Sequence, residues 1–291
     1  MRSAVIIATK GRAQAVNRAL QFLQEQTHQP SVIVISATEN ADVQGVPAAS
    51  PTVEYIFGPA GTSCQRNRAL ERVRDRCDIV IFFDDDFAPA PTWLEYCDHA
   101  FKSDSGVVGM SGTVLRDGAL GEEVSWEEAR QLVHGTAPAH AGETMIAEHG
   151  GLYGCNMAYR ASAVRDVTFD ERLVLYGWLE DKDFSRAAAK KGRLVICNDL
   201  IGVHLGLKSG RVSGKRFGYS QVVNAWYLYK KGVLSSKEAW SNLGKAVLAN
   251  GAKSFSPEKH IDRLGRFKGN LIGLGHLMLG RCRPEKAAEL R

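Results

Sequence analysis

The chain has 291 residues, 44% of them hydrophobic, which is enough to bury a large core and excludes a mainly disordered protein. Its 37 basic and 32 acidic side chains leave a formal charge of +5, too small and too dispersed for a nucleic-acid binder but compatible with phosphorylated ligands or an anionic membrane surface. Six cysteines without CxxC or histidine-partnered spacing argue against a zinc site or a disulfide framework, and no apolar run reaches the roughly 18 residues of a membrane span.

Met1 to Ala8 holds only a five-residue apolar run without a cleavage-site pattern, so no secretory leader is expected. Ala4 to Ala8 reads as a strand that ends in the turn Thr9-Lys10-Gly11-Arg12. A helix follows over 16–26, where Val16, Leu20 and Leu23 recur at helical spacing. Val32 to Ile35 and Val53 to Ile56 are two further strands, and Ser63 to Arg76 is a charged amphipathic helix. Ile79 to Phe83 is the most apolar strand, which predicts burial on both faces.

Strands alternating with helices imply parallel pairing through crossovers and an open α/β sheet, with ligands at the carboxyl ends of the strands. Val107 to Gly112 is a later strand, and residues 116 to 150 are irregular enough for a long loop or lid. A helix over Asp183 to Lys191 and a strand over Leu194 to Cys197 come next. Beyond Gly232 the composition shifts to helical segments interspersed with Ser, Lys and Gly. The chain is therefore expected to divide into 1–232 and a C-terminal helical extension, 233–291.

Asp84-Asp85-Asp86 directly follows the most apolar strand, and three adjacent carboxylates repel one another unless a cation joins them. A hard divalent ion shared with substrate phosphates fits that place; a solvated turn before Pro89 and Pro91 is the alternative. Glu180, Asp181 and Asp183 stand at a helix start after Tyr176-Gly177-Trp178, where a carboxylate serves either as a general base or as a helix cap. Thr9 and Arg12 offer a hydroxyl and a cation at the end of the first strand, and Arg66 and Asn67 face either a crevice or solvent from the next helix start. His204 alone reads as a structural histidine as readily as a ligand. Arg211 and Lys215 lie in a basic, glycine-rich segment able to close over a diphosphate or to remain a solvated loop.

In this order the pieces resemble family-two inverting glycosyltransferases of the GT-A fold, from about Ala4 to Gly232. The resemblance implies a Rossmann-like, mostly parallel central sheet flanked by helices. It implies nucleotide contacts at Thr9, Arg12, Arg66 and Asn67, and an Asp-x-Asp signature at Asp84 to Asp86. Asp84 is then expected near the ribose, Asp85 toward the sugar, and Asp86 on the metal. Gly154-Cys155-Asn156-Met157-Ala158-Tyr159-Arg160 is similar to the family's acceptor-side segment, so the resemblance implies Asn156 at the acceptor, and Trp178, just before the Glu180-Asp181 pair, is expected there too. Asp181 is the implied base, with Glu180 and Asp183 beside it, and His204 completes the metal site. Arg211 and Lys215 cover the diphosphate. The family's nucleobase-reading acid at the second strand is missing, and Glu39 is a shifted substitute.

The expected activity is metal-assisted (Mn or Mg) single displacement from a nucleotide-diphosphate sugar, UDP-sugars favoured, to a hydroxyl of a glycan or lipid-linked acceptor. Cell-surface or exopolysaccharide synthesis is the family's commonest setting. The expected location is cytoplasmic, with the C-terminal helices, rich in Leu, Ile and Met and flanked by Arg and Lys, able to rest on the inner face of the membrane. The rivals are a catalytically silent nucleotide-sugar-binding partner and a sugar-phosphate nucleotidyltransferase.

Overall fold

The computed structural model describes residues 1–47, 52–119, 121–136, 146–148 and 150–291. In chain order its elements are β1 (Ser3–Ala8), α1 (Ala13–Gln24), β2 (Val32–Ala37), a 3-10 turn (Asn40–Val43), β3 (Val53–Phe57), α2 (Thr62–Val73), β4 (Ile79–Asp84) and β5 (Phe87–Pro89). Next come α3 (Trp93–Ser103), β6 (Val107–Asp117), α4 (Trp126–Gly135), β7 (Ile146–Glu148), β8 (Asn156–Arg160), α5 (Ala161–Val164) and α6 (Glu180–Ala188) with a 3-10 turn (Ala189–Lys191). The chain finishes with β9 (Arg193–His204), α7 (Gly214–Lys230), α8 (Ser236–Lys253), α9 (Arg263–Met278) and α10 (Lys286–Glu289).

The segment expected to be a loop or lid, 116–150, thus contains the end of β6, all of α4 and β7. Helix α4 starts where Ser125 accepts a hydrogen bond from the Glu128 N–H, an N-cap that sequence reading passed over. Residues 120, 137–145 and 149 of that segment lie outside the described residues.

Two compact units divide the chain elsewhere than near residue 233. The first holds Met1–Ala60, Gln65–Thr168 and Phe184–Gly210; the second holds Gly61–Cys64, Phe169–Asp183 and Arg211–Arg291. Helix α7, expected on the catalytic side of the boundary, packs instead with α8 and α9.

The first unit is built on one sheet in the order β3-β2-β1-β4-β8-β6-β9-β5, with β7 pairing β9. β3, β2, β1 and β4 form the expected parallel block, and β6 runs parallel to β9. Strand β8, however, is antiparallel to both β4 and β6, and β5 and β7 are antiparallel to β9. The sheet is mixed, with its longest pairings parallel as expected and its shortest ones antiparallel. Only Asp85 and Asp86 separate β4 from β5, too few for the crossover of a dozen or more residues that a parallel pairing of the two would need, and β5 pairs with β9 instead.

As its unbroken apolar run predicts, β4 is buried on both faces. Phe82 meets Tyr159 and Phe184 edge-on at 6.2 and 5.8 Å, and Phe83 packs against Trp93 and Phe87 at 4.8 and 5.0 Å. This core holds the end of β4 rigidly where the three aspartates begin.

The second unit is helical. A Cβ at Gly269 would lie 2.0 Å from the Lys215 carbonyl, and one at Gly218 would lie 2.0 Å from that of Arg266, so the close approach of α7 and α9 tolerates only glycine at both places. Buried Asn250 bridges Gln221 and Asn270 with 2.9 Å hydrogen bonds. Among the described residues no helix is long and apolar enough to cross a membrane.

Candidate active site

The three acids at the end of β4 in the first unit meet two arginines. Arg66 Nη2 donates to Asp84 Oδ1 and to the Gly154 carbonyl, both at 2.8 Å. Asp85 accepts the Thr9 hydroxyl at 2.7 Å and Arg12 Nη1 at 3.0 Å, and Arg12 also lies 3.4 Å from Asp86. The Thr9–Arg12 turn is itself braced. Asp42, buried in the 3-10 turn after β2, accepts the Gly11 N–H at 2.5 Å and the Thr38 N–H at 2.7 Å, while Gln65 Nε2 donates to the carbonyls of Thr9 and Ser36, 2.7 Å each. The ends of β1 and β2 are thereby tied together.

His204, the last residue of β9, faces this cluster. Asp84, Asp86 and His204 each offer one ligand atom, and the three atoms lie within 4.8 Å of one another. His204 Nε2 stands 3.4 Å from Asp86 Oδ1 and 3.9 Å from Asp84 Oδ2. Its Nδ1 meets Asp117 Oδ1 at 2.9 Å, and the other Asp117 oxygen accepts the Tyr153 hydroxyl at 2.8 Å. An imidazole oriented by a carboxylate on one nitrogen, with the other turned to two carboxylates, is the arrangement of a metal-bound histidine. The predominantly oxygen donor set suits Mg or Mn, so the residues fit the ion the sequence implies.

Electrostatics points the same way. Burial pushes the Asp84 carboxyl up against the pull of Arg66 and His204, and it pushes Asp85 up to about 7 despite Arg12 and Thr9. Burial acts on Asp86 too, but the hydrogen bond and charge of His204, with Arg12, hold it below the usual carboxylate range. Burial opposes protonation of His204, yet its bonds to Asp117 and Asp86 prevail and raise it to about 10. The buried acids demand positive charge, which Arg12, Arg66 and the His204 proton meet here.

In the second unit the acids follow a strained segment. Leu175, Gly177 and Leu179 take φ of 63°, 70° and 71°, the left-handed region, which costs a residue with a Cβ on the order of 1–3 kcal/mol. The Thr62 N–H donates to the Leu175 carbonyl at 2.9 Å, the Ser63 hydroxyl to Leu173 at 3.2 Å, and Asn224 Nδ2 to Trp178 at 3.0 Å. Tyr176 and Trp178 both meet the Phe217 ring edge-on, at 5.7 and 5.4 Å. Immediately after, Glu180 is buried, Asp181 is half-buried with Oδ1 accepting the Lys182 N–H at 2.7 Å, and Asp183 is buried against Lys231 at 2.8 Å. Lys231 also meets Asp170 at 2.8 Å.

Thr9, Arg12, Arg66, Asp84, Asp85, Asp86 and His204 are brought together within the first unit, and Asn67 is half-buried beside Arg66 on α2. Other expected residues are placed differently. Glu39 is exposed, and the buried acid after β2 is Asp42. Asn156 is wholly buried, its Oδ1 accepting the Gly112 N–H at 2.8 Å, so it serves the sheet interior rather than a surface open to an acceptor. Lys215 Nζ donates to the Arg291 carbonyl at 2.5 Å, and Arg211 is half-buried, close enough to add to the burial and the Arg263 charge that lower Arg266 to about 10.

Asp117, Tyr153, Asp42, Gln65 and Lys231 carry weight that sequence reading missed. Asp117 had a signal, since it is the acid at the carboxyl end of β6, but that strand was ended at Gly112. Tyr153 and Lys231 had none, because their partners lie 36 or more residues away in the chain.

The model of the family described as "Glycosyl transferase family 2" matches residues 4–167. No curated protein sequence matches the chain. Among solved structures, S. aureus TarS 1-349 aligns with a TM-score of 0.55 at 16% identity, over 100% of this chain and 83% of that one. The mannosyltransferase PcManGT from Pyrobaculum calidifontis, in complex with GDP-Man and Mn2+, gives 0.55 and 16% over 96% and 87%. The longer S. aureus TarS chain gives 0.50 and 17%, with 88% of this chain covered but only 44% of that one, so this chain spans less than half of that relative. At such identities these structures show a shared fold.

Proposed function

The chain belongs to glycosyl transferase family 2 and has its GT-A fold, and on that premise we propose an inverting, metal-dependent glycosyltransferase that moves a sugar from a nucleoside-diphosphate donor to an acceptor hydroxyl. The reading is carried by half-buried Asp84 and buried Asp86 and His204, whose ligand atoms lie within 4.8 Å of one another at the ends of β4 and β9, with Asp85 clamped between Thr9 and Arg12.

Arg12 and Arg66 orient the donor by its diphosphate, and Arg211 with Lys215 neutralises the departing group. Asp181 takes the acceptor proton as that oxygen attacks the anomeric carbon. The bond from that carbon to the diphosphate oxygen breaks, its electron pair leaving with the nucleoside diphosphate, so configuration inverts. A divalent ion at Asp84, Asp86 and His204 would supply Lewis-acid stabilisation of that developing charge. Mn and a uridine diphosphate sugar are favoured, since PcManGT is held with Mn2+ and S. aureus TarS 1-349 with UDP and with UDP-GlcNAc. The proposed acceptor is a glycan or lipid-linked hydroxyl in cell-surface or exopolysaccharide synthesis, met by a cytoplasmic protein with a peripheral seat at the membrane.

A panel of nucleotide sugars tested by thermal shift, with and without Mn, checks this directly, because a ligand that binds only the folded state raises Tm. One donor should stabilise only with Mn and then yield nucleoside diphosphate. Stabilisation by none sinks the reading. Pyrophosphate release would make the chain a nucleotidyltransferase, and Mn-dependent binding without transfer or donor hydrolysis would make it a binding partner.

A further inference from the structure

The positive charge, dispersed when the chain is taken as a whole, is unevenly divided between its two parts, which corrects that first reading. Residues 211–291 hold sixteen Lys and Arg against five Asp and Glu, while residues 1–210 hold 21 against 27 and are acidic. Each of those five acids is already engaged within the second unit. Glu238 bonds Lys182 and caps α8, Glu258 bonds Lys253 and Arg263, Asp262 caps α9 through the Gly265 N–H, Glu285 pairs with Arg172, and Glu289 pairs with Lys286. Lys237, Lys245, Lys268 and Arg281 are exposed, and none of them forms an ion pair with an acid among the described residues, while exposed Arg283 shares the charge of Glu285 and Glu289, which already pair with Arg172 and Lys286.

Apolar surface accompanies these cations. Along α9, Leu264, Lys268, Leu271 and Met278 recur at spacings of four, three and seven, which places them on one side of the helix. Leu264 and Leu271 are about half exposed (52% and 51%) and Met278 is 80% exposed. Exposed Leu279 and the Arg281 and Arg283 cations follow directly. On the neighbouring α8, Lys237, Trp240, Lys245 and Leu248 repeat the mixture on one side, with Leu248 74% exposed. Isolated exposed leucines need no explanation, but a stripe of them interleaved with uncompensated cations does.

We propose that this outward side of α9, continued through Leu279, Arg281 and Arg283, rests on an anionic lipid bilayer. The apolar side chains enter the headgroup boundary while the cations meet lipid phosphates. With no described helix fit to span, the contact lies in the plane of the surface. A second copy of the chain is the weaker occupant, since mating two such stripes sets Lys268 and the arginines against their own kind. The inference rests on the reading of the chain as a transferase with a peripheral seat at the membrane, and it names the surface and the lipid charge.

Flotation with vesicles of phosphatidylcholine alone, and with about 30% phosphatidylglycerol, tests it without donor or acceptor. The full chain should bind the anionic vesicles and be released by salt. Leu271→Glu with Met278→Glu, and separately Lys268→Glu with Arg281→Glu, should each weaken partitioning by about tenfold or more at unchanged Tm. Absence of binding to anionic vesicles, or variants that bind like the parent, overturns the proposal, as does a dimer that the glutamates abolish while vesicle binding stays unchanged. A chain that binds vesicles but transfers no sugar defeats only the transferase reading, and one that glycosylates a water-soluble acceptor while ignoring vesicles defeats only this one.

Discussion

The two acidic clusters are held by opposite means. Asp84 to Asp86 stand at the end of a buried strand, where the sheet sets their position and Arg12, Arg66 and His204 balance their charge. Glu180 to Asp183 stand after a loop with three left-handed residues, two of them leucines, so their position is maintained against backbone strain by hydrogen bonds and by the Lys231 ammonium. On the proposed mechanism the difference is useful, because an acid meant to grip a charged ligand gains from a rigid, cation-lined strand end and an acid meant to take a proton gains from being held half-exposed.

The sharpest way to break this comparison is Asp86→Ala. Loss of several kcal/mol of charge stabilisation should lower kcat/KM by about 10⁴-fold and abolish the Mn-dependent rise in Tm, as EDTA does to the parent. A variant that keeps its activity and its chelator sensitivity removes Asp86 from the metal site. Asp181→Asn should cut kcat by about 10²- to 10⁴-fold and leave donor binding near normal. Full turnover in this variant would take the base away from Asp181.

Lys231→Met should cost less: kcat down by about tenfold at constant donor KM, recovered by Lys231→Arg. The stability loss is about 1 kcal/mol, because an ammonium 37% exposed is screened by solvent. Although burial raises Asp170, its bonds to Lys231 and Tyr227 hold its carboxyl below the usual value. A carboxyl depressed on folding stabilises above its unfolded pKa of about 3.9 and loses that contribution as pH falls through the folded value, so urea midpoints of parent and variant should converge in acid. A gap that stays constant into strong acid would mean that Lys231 acts by packing. Gly177→Ala has the smallest effect, about 1–2 kcal/mol by thermal melting, from a left-handed φ and a Cβ 2.8 Å from Glu180 Cγ. An alanine variant as stable as the parent would show that the loop is not under the strain ascribed to it.

The parallel block, its helices and the acids at the end of β4 were legible because they depend on local signals: apolar runs, helical spacing, and three carboxylates after a strand. The mixed half of the sheet was not, since short antiparallel strands such as β5 and β8 are chosen by the partners they meet rather than by their own composition. Glu39 and Asp42 illustrate the same limit. Both are acids after β2, and only the turn geometry that sends Gly11 and Thr38 amides to Asp42 tells them apart.

The amino-acid sequence by itself determined which residues could do chemistry and the family pattern in which they occur. Tertiary structure alone decided which of them became neighbours. His204 acquires Asp117 and Tyr153 through a pairing of β6 with β9 that joins positions 87 residues apart, and Asn156 disappears into the sheet because β8 inserts between β4 and β6. Side-chain type is a local property, whereas burial, charge balance and hydrogen-bond partners arise only when distant segments are packed against each other.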